Sequence, residues 1–203
     1  KNQLVKVTGD RDSTDDYYLR FETDSTASTG TFEDLDGVWV EASGQEQDNA
    51  LDADTMPHEI VLDAGVYTLE TIDWSEREAG DADSNPDPAF IGEQINDVLE
   101  FQERLVLLHG QSISMSESQE HENFFLQSAT DLLDTDTVHL VPTSTDSRNV
   151  MTYGVQSNRD LVIFATNDAQ YTISGRSKVA PSTASVALTA EFSTSLLARP
   201  AAT

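Results

Sequence analysis

One sequence pattern occurs three times in this chain and constrains its fold more than any other feature. Each copy opens with a charged residue and an aliphatic run, breaks at a short turn, and closes with alternating polar and apolar residues. The copies span residues 59–72, 104–118 and 160–174. An aliphatic run, a turn and a period-two stretch are together typical of a β-hairpin. We therefore predict antiparallel hairpins in these three segments.

The spacing of the copies leaves two β architectures open. Their first aliphatic residues are Ile60, Leu105 and Leu161, roughly 50 residues apart, which is the repeat length of propeller blades. An ordinary antiparallel sheet also contains hairpins that look alike. The predicted fold class is mainly β, with antiparallel hairpins in a propeller-like or sandwich-like domain.

The segment 89–105 has two interpretations. Ile91, Ile95, Val98 and Leu99 fall at helical spacing, which favours a helix. The same residues are compatible with a loop that leads into a strand.

Two acidic segments, residues 44–57 and 76–88, have the composition of loops. Asn85 and Asp87 each precede a proline, which disfavours the helical conformation. A domain boundary within 76–90 explains the second segment, and so does a long ordered loop that is braced against a neighbouring subunit.

The charge of the chain restricts its partners. Asp and Glu number 37 against 11 Lys and Arg, a formal net charge of −26. Such a surface disfavours wrapping of nucleic acid, because phosphate binding needs basic side chains. Two explanations stay open: an acidic surface that keeps the protein soluble, including in salty water, or a surface that DNA passes without binding.

Two absences in the sequence exclude further classes of function. The chain has no cysteine, so disulfide frameworks, thiolate metal sites and thiol nucleophiles are excluded. No apolar run approaches the ~20 residues that a membrane helix needs, so no membrane segment is predicted. The chain begins at Lys1 without an initiator methionine or a signal-like segment, and we expect a piece of a longer polypeptide.

Candidate metal sites do not match known motifs. Residues 81–87 place oxygen ligands at the first, third and fifth positions of a calcium loop. Pro86 then stands where the loop needs glycine, and Gly92 where it needs a bidentate glutamate. The segment is interpreted as an acidic turn. Residues 131–139 hold three aspartates and His139 at a spacing that fits no metal motif.

No catalytic constellation is visible around the histidines. His109 and Ser112 lie three residues apart, but neither a third partner nor a G-x-S-x-G elbow accompanies them. We interpret residues 104–118 as a hairpin with a buried first strand and an exposed second strand, and His109 and Ser112 as turn residues. His58, His121 and His139 are interpreted as surface or packing residues. No catalytic residue, cofactor or metal is expected.

Three large side chains, those of Trp39, Trp74 and Arg77, are predicted to stabilise the fold. Trp39 and Trp74 sit in or beside predicted strands, so both are expected in the core. Arg77 follows Trp74 by three residues, and Gly80 and Asp81 add a flexible joint and an acceptor. We predict that Trp74 and Arg77 bracket a turn, and that Arg77 is hydrogen-bonded inside the protein and fixes the loop 76–88.

Short segments in a fixed order carry a family resemblance. The most specific are W-x-x-R-x-x-G-D and N-P-x-P-x-F-[IV]-G, present as WSEREAGD and NPDPAFIG. The other segments are YYLRFE, GVWVEA, TMPHEI, INDVLEFQERL, SMSES, NFF, DTDTV, QYTIS and VAP. Together they resemble the tail tubular protein B, or nozzle protein, family of short-tailed bacteriophages over nearly the whole chain. The structural motif residues singled out on this basis are Trp74, Arg77, Gly80, Asp81, Asn85, Pro86, Phe90 and Arg104.

The resemblance implies a structural virion protein and not an enzyme. Nozzle proteins form a six-fold ring at the distal end of the tail, which encloses the channel through which the genome leaves. The implied partners are further copies of the chain, the tail adaptor protein and the tail fibres, with DNA only passing through. Family chains are much longer and include a propeller-like β domain, so this chain is expected to be an interior β-rich fragment of such a protein.

A second class of function stays open. An acidic β domain can bind or degrade carbohydrate through pairs of carboxylates, and an acidic chain contains many such pairs. Release of reducing ends from capsular polysaccharide, lost on removal of single carboxylates, distinguishes this alternative.

Overall fold

The computed structural model describes residues 3–9, 13–23, 37–45, 47–143, 149–193, 195 and 197–201. The described chain is nearly all β-structure with antiparallel sheets, as predicted. A 3-10 turn at Ser13–Asp15 is its one helical element. The strands are β1 Leu4–Val7, β2 Tyr17–Thr23, β3 Gly37–Ala42, β4 His58–Asp63, β5 Val66–Thr71, β6 Ile95–Phe101, β7 Arg104–His109, β8 Ser112–Met115, β9 Val138–Leu140, β10 Met151–Ser157, β11 Asp160–Ala165, β12 Ala169–Ile173 and β13 Val186–Glu191.

The three predicted hairpins are confirmed as β4–β5, β7–β8 and β11–β12. Their turns explain why the sequence breaks where it does. Ala64 and Gly65 both have positive φ between β4 and β5, and so do Asn167 and Asp168 between β11 and β12. Positive φ at both central residues matches the twist of a two-residue hairpin, and Gly, Asn and Asp adopt it most readily.

The helix considered for residues 89–105 is wrong, and the alternative of a loop leading into a strand is confirmed. The strand β6 begins at Ile95, and a turn at Gln102 and Glu103, both with positive φ, leads into β7. Phe101 is buried whereas Val98 is exposed, because a strand turns alternate residues to opposite sides. Pairing with β7 overrode the helical spacing.

The chain divides into two compact units. Unit 1 comprises the described residues within Lys1–Thr71, Ser75–Pro86 and Leu126–Leu132. It holds a three-stranded antiparallel sheet in the order β1-β2-β3 and a separate two-stranded sheet, β4–β5. Unit 2 comprises the described residues within Ile72–Trp74, Asp87–Phe125 and Leu133–Thr203.

Unit 2 is built from two four-stranded antiparallel sheets with the orders β6-β7-β8-β9 and β10-β11-β12-β13. Consecutive strands lie next to each other, as in a propeller blade. Side chains from both sheets form one hydrophobic core, each burial contributing about 1.5–3 kcal/mol. The core residues are Phe101, Val106, Leu108, Ile113, Met115, Val138, Met151, Leu161, Ile163, Ala165, Ala169, Tyr171, Ile173 and Val179.

Two burial predictions are wrong. The second strand of the 104–118 hairpin is buried like the first, because β8 lies between β7 and β9 and turns Ile113 and Met115 into the core. Trp39 is 48% exposed, although Trp74 is buried as predicted. Trp39 packs on Phe21, with ring centroids 5.2 Å apart, on the edge strand β3.

Among the described residues, helices of the length and apolarity that a membrane crossing requires do not occur.

Candidate functional site

Arg77 is the centre of a hydrogen-bonded loop cluster in unit 1. Its side chain is buried, and its Nε donates to the backbone oxygen of Asn85 over 2.7 Å. Its Nη1 donates to the backbone oxygen of Asp48 at 2.9 Å and lies 3.5 Å from Oδ1 of Asn49. The predicted internal hydrogen bonds of Arg77 are therefore present. They connect the two acidic loops that the sequence suggested.

Asn85 extends this cluster to a third segment. Its amide nitrogen donates to the backbone oxygens of Ala79 and Leu126, at 2.9 and 3.0 Å, and its amide oxygen accepts the N–H of Leu126. A buried asparagine with these three bonds ties residues 79–85 to residue 126. The following Pro86 is exposed.

Gly80 is required by the geometry of its turn. Its φ is +72°, and a Cβ there would lie 2.7 Å from Oγ of Ser84 and 3.1 Å from Cβ of Asn85. Its backbone oxygen accepts the N–H of Gly44, and its N–H donates to Ala42. A larger residue would strain the backbone and displace these neighbours.

Asp81 organises the acidic turn rather than a metal site. Its carboxylate accepts the backbone N–H groups of Asp83 and Ser84 and the hydroxyl of Tyr18. Burial alone would raise the pKa of Asp81, but these hydrogen bonds outweigh it, and the pKa lies below its usual value. Across the described ranges, no three His, Asp or Glu side chains are grouped to hold a metal ion.

Replacement of Arg77 with alanine is expected to lower the free energy of unfolding by about 1–3 kcal/mol. The reason is that the carbonyls of Asn85 and Asp48 lose their donor. Thermal unfolding measures the effect, with Arg20→Ala as the control because the Arg20–Glu22 pair is exposed. An unchanged melting temperature for Arg77→Ala would contradict the role assigned to this side chain.

Arg104 is a second buried arginine, at the start of β7 in unit 2. Nη1 donates to the backbone oxygens of Ser116 and Asp136, both at 2.7 Å. Nη2 donates to those of Asp134 and Val179, at 2.9 and 3.2 Å. Burial lowers the pKa of Arg104, and the charges of Glu117 and Asp136 act against this. One guanidinium thus joins four separate points of the chain.

Ser116 and Asp136, the buried polar residues around Arg104, were not predicted from the sequence. Ser116 accepts through its backbone and also receives the N–H of Leu105 on Oγ at 2.9 Å. Oδ2 of Asp136 accepts the N–H of Leu133. Both residues are fully buried. The available signal was the density of small polar residues in segments that otherwise follow strand spacing.

Trp74 and Phe90 are brought together through an aromatic neighbour in unit 2. The ring centroid of Phe124 lies 6.0 Å from that of Trp74 and 4.9 Å from that of Phe90. Phe90 in turn forms a T-shaped pair with His109, with ring centroids 6.0 Å apart. The described residues between Trp74 and Arg77 form no turn, so the prediction that the pair brackets one is wrong.

His109 and Ser112 are paired strand residues that flank the turn between β7 and β8, not residues within it. The polar partner of His109 is instead Ser114, whose Oγ lies 2.9 Å from Nε2 of His109 and 3.2 Å from Nδ1 of His139. Both His109 and Ser114 are buried. Burial, with a smaller effect from His139, lowers the pKa of His109 to about 4. We therefore interpret Ser114, His109 and His139 as a packed, hydrogen-bonded group with a structural role.

Five of the basic residues that the structure describes follow two patterns. Lys6, Arg20 and Arg199 pair with carboxylates, and the Arg199–Asp97 pair is 2.8 Å long. The hydrogen bond that Lys6 donates to Asp16 raises the pKa of Lys6 above its usual range. Arg77 and Arg104 are instead buried and donate to backbone carbonyls.

The arrangement is that of a β framework held by two buried arginines and aromatic packing. The sequence matches the bacteriophage nozzle protein family over residues 1–203. The chain belongs to this family and is a structural protein of the phage tail, so it is located in the virion tail.

A particular relative agrees with this class. The chain is similar to the tail tubular protein gp12 of Escherichia phage T7, with 31% identity over 199 residues. The aligned region is 97% of this chain and 23% of that relative. The chain therefore spans less than a quarter of the length of the curated relative that it matches.

Proposed function

We propose that the chain is part of a ring subunit that forms the wall of the distal tail tube, through which the phage genome is ejected. The match to the nozzle family across all of its residues carries this proposal. The described structure is consistent with a structural role, since Arg77, Asn85 and Arg104 are buried and hydrogen-bonded to separate segments of the chain. The proposed assembly is a homo-oligomer, six-fold in the full protein, that contacts the tail adaptor and the tail fibres.

The role proposed is structural and not enzymatic. The serine and histidine that lie close enough for nucleophilic chemistry, Ser114 and His109, are buried. A nucleophile must reach its substrate, and a buried pair packs instead. The hydrogen bonds of Asp81 are likewise committed to its own turn.

Assembly is the first test of this proposal. The full protein that contains this chain is expected to occur as a closed multimer, six-fold by the proposal, because a channel wall must surround its channel. Mass photometry at nanomolar concentration measures the distribution of masses. A single population at the mass of one subunit would contradict the ring.

DNA is expected to pass the assembled ring without binding to it. Each Lys or Arg that faces a channel adds a favourable phosphate contact, and such contacts sum, so an acidic or neutral wall keeps the interaction weak. The net charge of −26 and the commitment of Lys6, Arg20 and Arg199 to carboxylates support this.

A gel shift of double-stranded DNA with the full protein at physiological salt measures this prediction. No shift is expected at micromolar protein, and lower salt should change little because like charges repel. Micromolar binding that weakens steeply with salt would contradict passage without attachment. The alternative explanation, an acidic surface that serves only solubility in salty water, predicts a different distribution of charge. It requires carboxylates on the outer surface of the ring and none on the channel wall.

A further inference from the structure

The β4–β5 hairpin has one face that is apolar and exposed. Cross-strand register places Ile60 opposite Leu69 and Leu62 opposite Tyr67, so these four side chains share a face. Their exposed fractions are 70%, 70%, 56% and 72% respectively. We call the surface formed by Ile60, Leu62, Tyr67 and Leu69 the hairpin face.

The opposite side of the hairpin is acidic. Glu59 stands directly opposite Glu70, and Asp63 stands opposite Val66. Successive residues of a strand face opposite sides, so Glu59, Asp63 and Glu70 share the side opposite to the hairpin face. The hairpin face therefore has no acidic side chain.

A two-stranded hairpin of this kind is marginal in water unless its apolar side is covered. In the described part of the chain β4 and β5 pair only with each other, which leaves both outer strand edges open. The hairpin face exposes roughly 500 Å² of mostly apolar surface, the size of patch that marks an interaction site. This is more than half of the roughly 800 Å² that one partner contributes to a standard protein interface.

We propose that the hairpin face packs against a second copy of this chain and is a contact between neighbouring subunits; this inference rests on the ring proposed above. Copies that each carry −26 repel one another, so in a ring of identical subunits contact is least opposed at a surface that lacks carboxylates. The hairpin face is such a surface, whereas a basic partner would select the acidic side.

A second exposed apolar surface in unit 1 agrees with a ring contact. Val38 and Val40 lie on one side of β3 and expose 63% and 37% of their surfaces, whereas Trp39 lies on the other side. Closed rings arise from contacts between two different surfaces of the same chain. One chain that carries two distinct exposed apolar surfaces meets this requirement.

Two adjacent residues give a matched pair of variants for the test. Leu69 lies on the hairpin face and Thr68 on the opposite side, and both are exposed. In the full protein, Leu69→Glu is expected to raise the concentration at which half of the subunits are assembled by tenfold or more. Thr68→Glu adds the same charge and is expected to change it less than twofold. Mass photometry over a dilution series measures both.

Cross-linking identifies the occupant. A photoreactive benzoyl-phenylalanine at position 67 is expected to join two copies, seen as a product of twice the subunit mass and as linked peptides from isotopically light and heavy chains. The same group at position 68 serves as the control. A link within one chain, a link to a different protein, or equal assembly by Leu69→Glu and wild type would overturn the inference and leave the ring intact. A wild-type protein that is monomeric throughout would overturn both.

Discussion

Replacement of Arg104 with alanine is expected to lower the free energy of unfolding of unit 2 by about 4 kcal/mol. Four backbone carbonyls, those of Ser116, Asp134, Asp136 and Val179, would lose their charged donor in a buried region. Removal of a buried polar partner leaves the other groups desolvated and unpaired, which is why the loss exceeds that of an ordinary hydrogen bond.

Urea denaturation followed by tryptophan fluorescence measures this loss. The chain has two tryptophans, of which Trp74 belongs to unit 2 and Trp39 to unit 1. In a Trp39→Phe background, the fluorescence of Trp74 reports on unit 2 alone.

Two further variants separate charge from geometry at Arg104. Arg104→Lys keeps the charge but has three donors for four carbonyls, so an intermediate loss is expected. Arg176→Ala, at an exposed residue of the same unit, is expected to stay within about 0.5 kcal/mol of wild type. Equal denaturation midpoints for Arg104→Ala and Arg176→Ala would contradict the central position given to Arg104.

Acid is expected to destabilise unit 2 through His109. The unfolded imidazole has a pKa of 6.5, whereas burial lowers the folded pKa to about 4. Between pH 6.5 and pH 4, the imidazole is therefore protonated in the unfolded state but neutral in the folded state. Stability that is fully present above pH 6.5 is lost as the pH falls towards 4. The loss attributable to His109 is about 3 kcal/mol by pH 4.

A non-titrating variant isolates this effect from the many carboxylates of the chain. His109→Gln keeps an amide that can bond Ser114 but removes the titration. The difference in unfolding free energy between wild type and His109→Gln, measured by urea denaturation from pH 8 to 4, is expected to be constant above pH 7. It should shift by about 3 kcal/mol in favour of the variant at pH 4. Parallel stability curves over the whole range would show that His109 is not buried as a neutral ring.

The hairpins were predictable because their signal is local. The aliphatic run, the turn and the alternation lie within 15 residues, as in the β11–β12 pair. The strand β6 was ambiguous because Ile95 and Leu99, four residues apart, share a side in a helix and in a strand alike. Pairing with β7, a non-local interaction, decided between them.

Burial was less predictable than strand content. The pattern at residues 59–72 matches that at residues 104–118, yet Leu62 is exposed and the corresponding Leu107 is fully buried. A pattern predicts a strand but does not state which neighbour covers it. Arg104 is the opposite case, a charged residue that is buried. Arginine is usually exposed, and the four carbonyls that accept its hydrogen bonds belong to residues between 116 and 179, so no local pattern predicts its burial.

The motif residues of the sequence analysis fall into two groups in the structure. Arg77, Gly80, Asp81 and Asn85 meet in unit 1, whereas Trp74, Phe90 and Arg104 belong to unit 2. Short-range features such as the Gly80 turn can be predicted from residue type. The pairing of Asn85 with Leu126 joins residues 41 positions apart, and no local pattern specifies it.

The central claim is that this chain helps to form a closed tail ring through which DNA passes. A cryo-electron microscopy map of the assembled full protein tests it most directly, with the charge of the inner wall read from the positions of its side chains. We predict a closed ring with a central channel that is lined by acidic or neutral residues. An open or monomeric particle, or a continuous basic stripe along the channel, would contradict it.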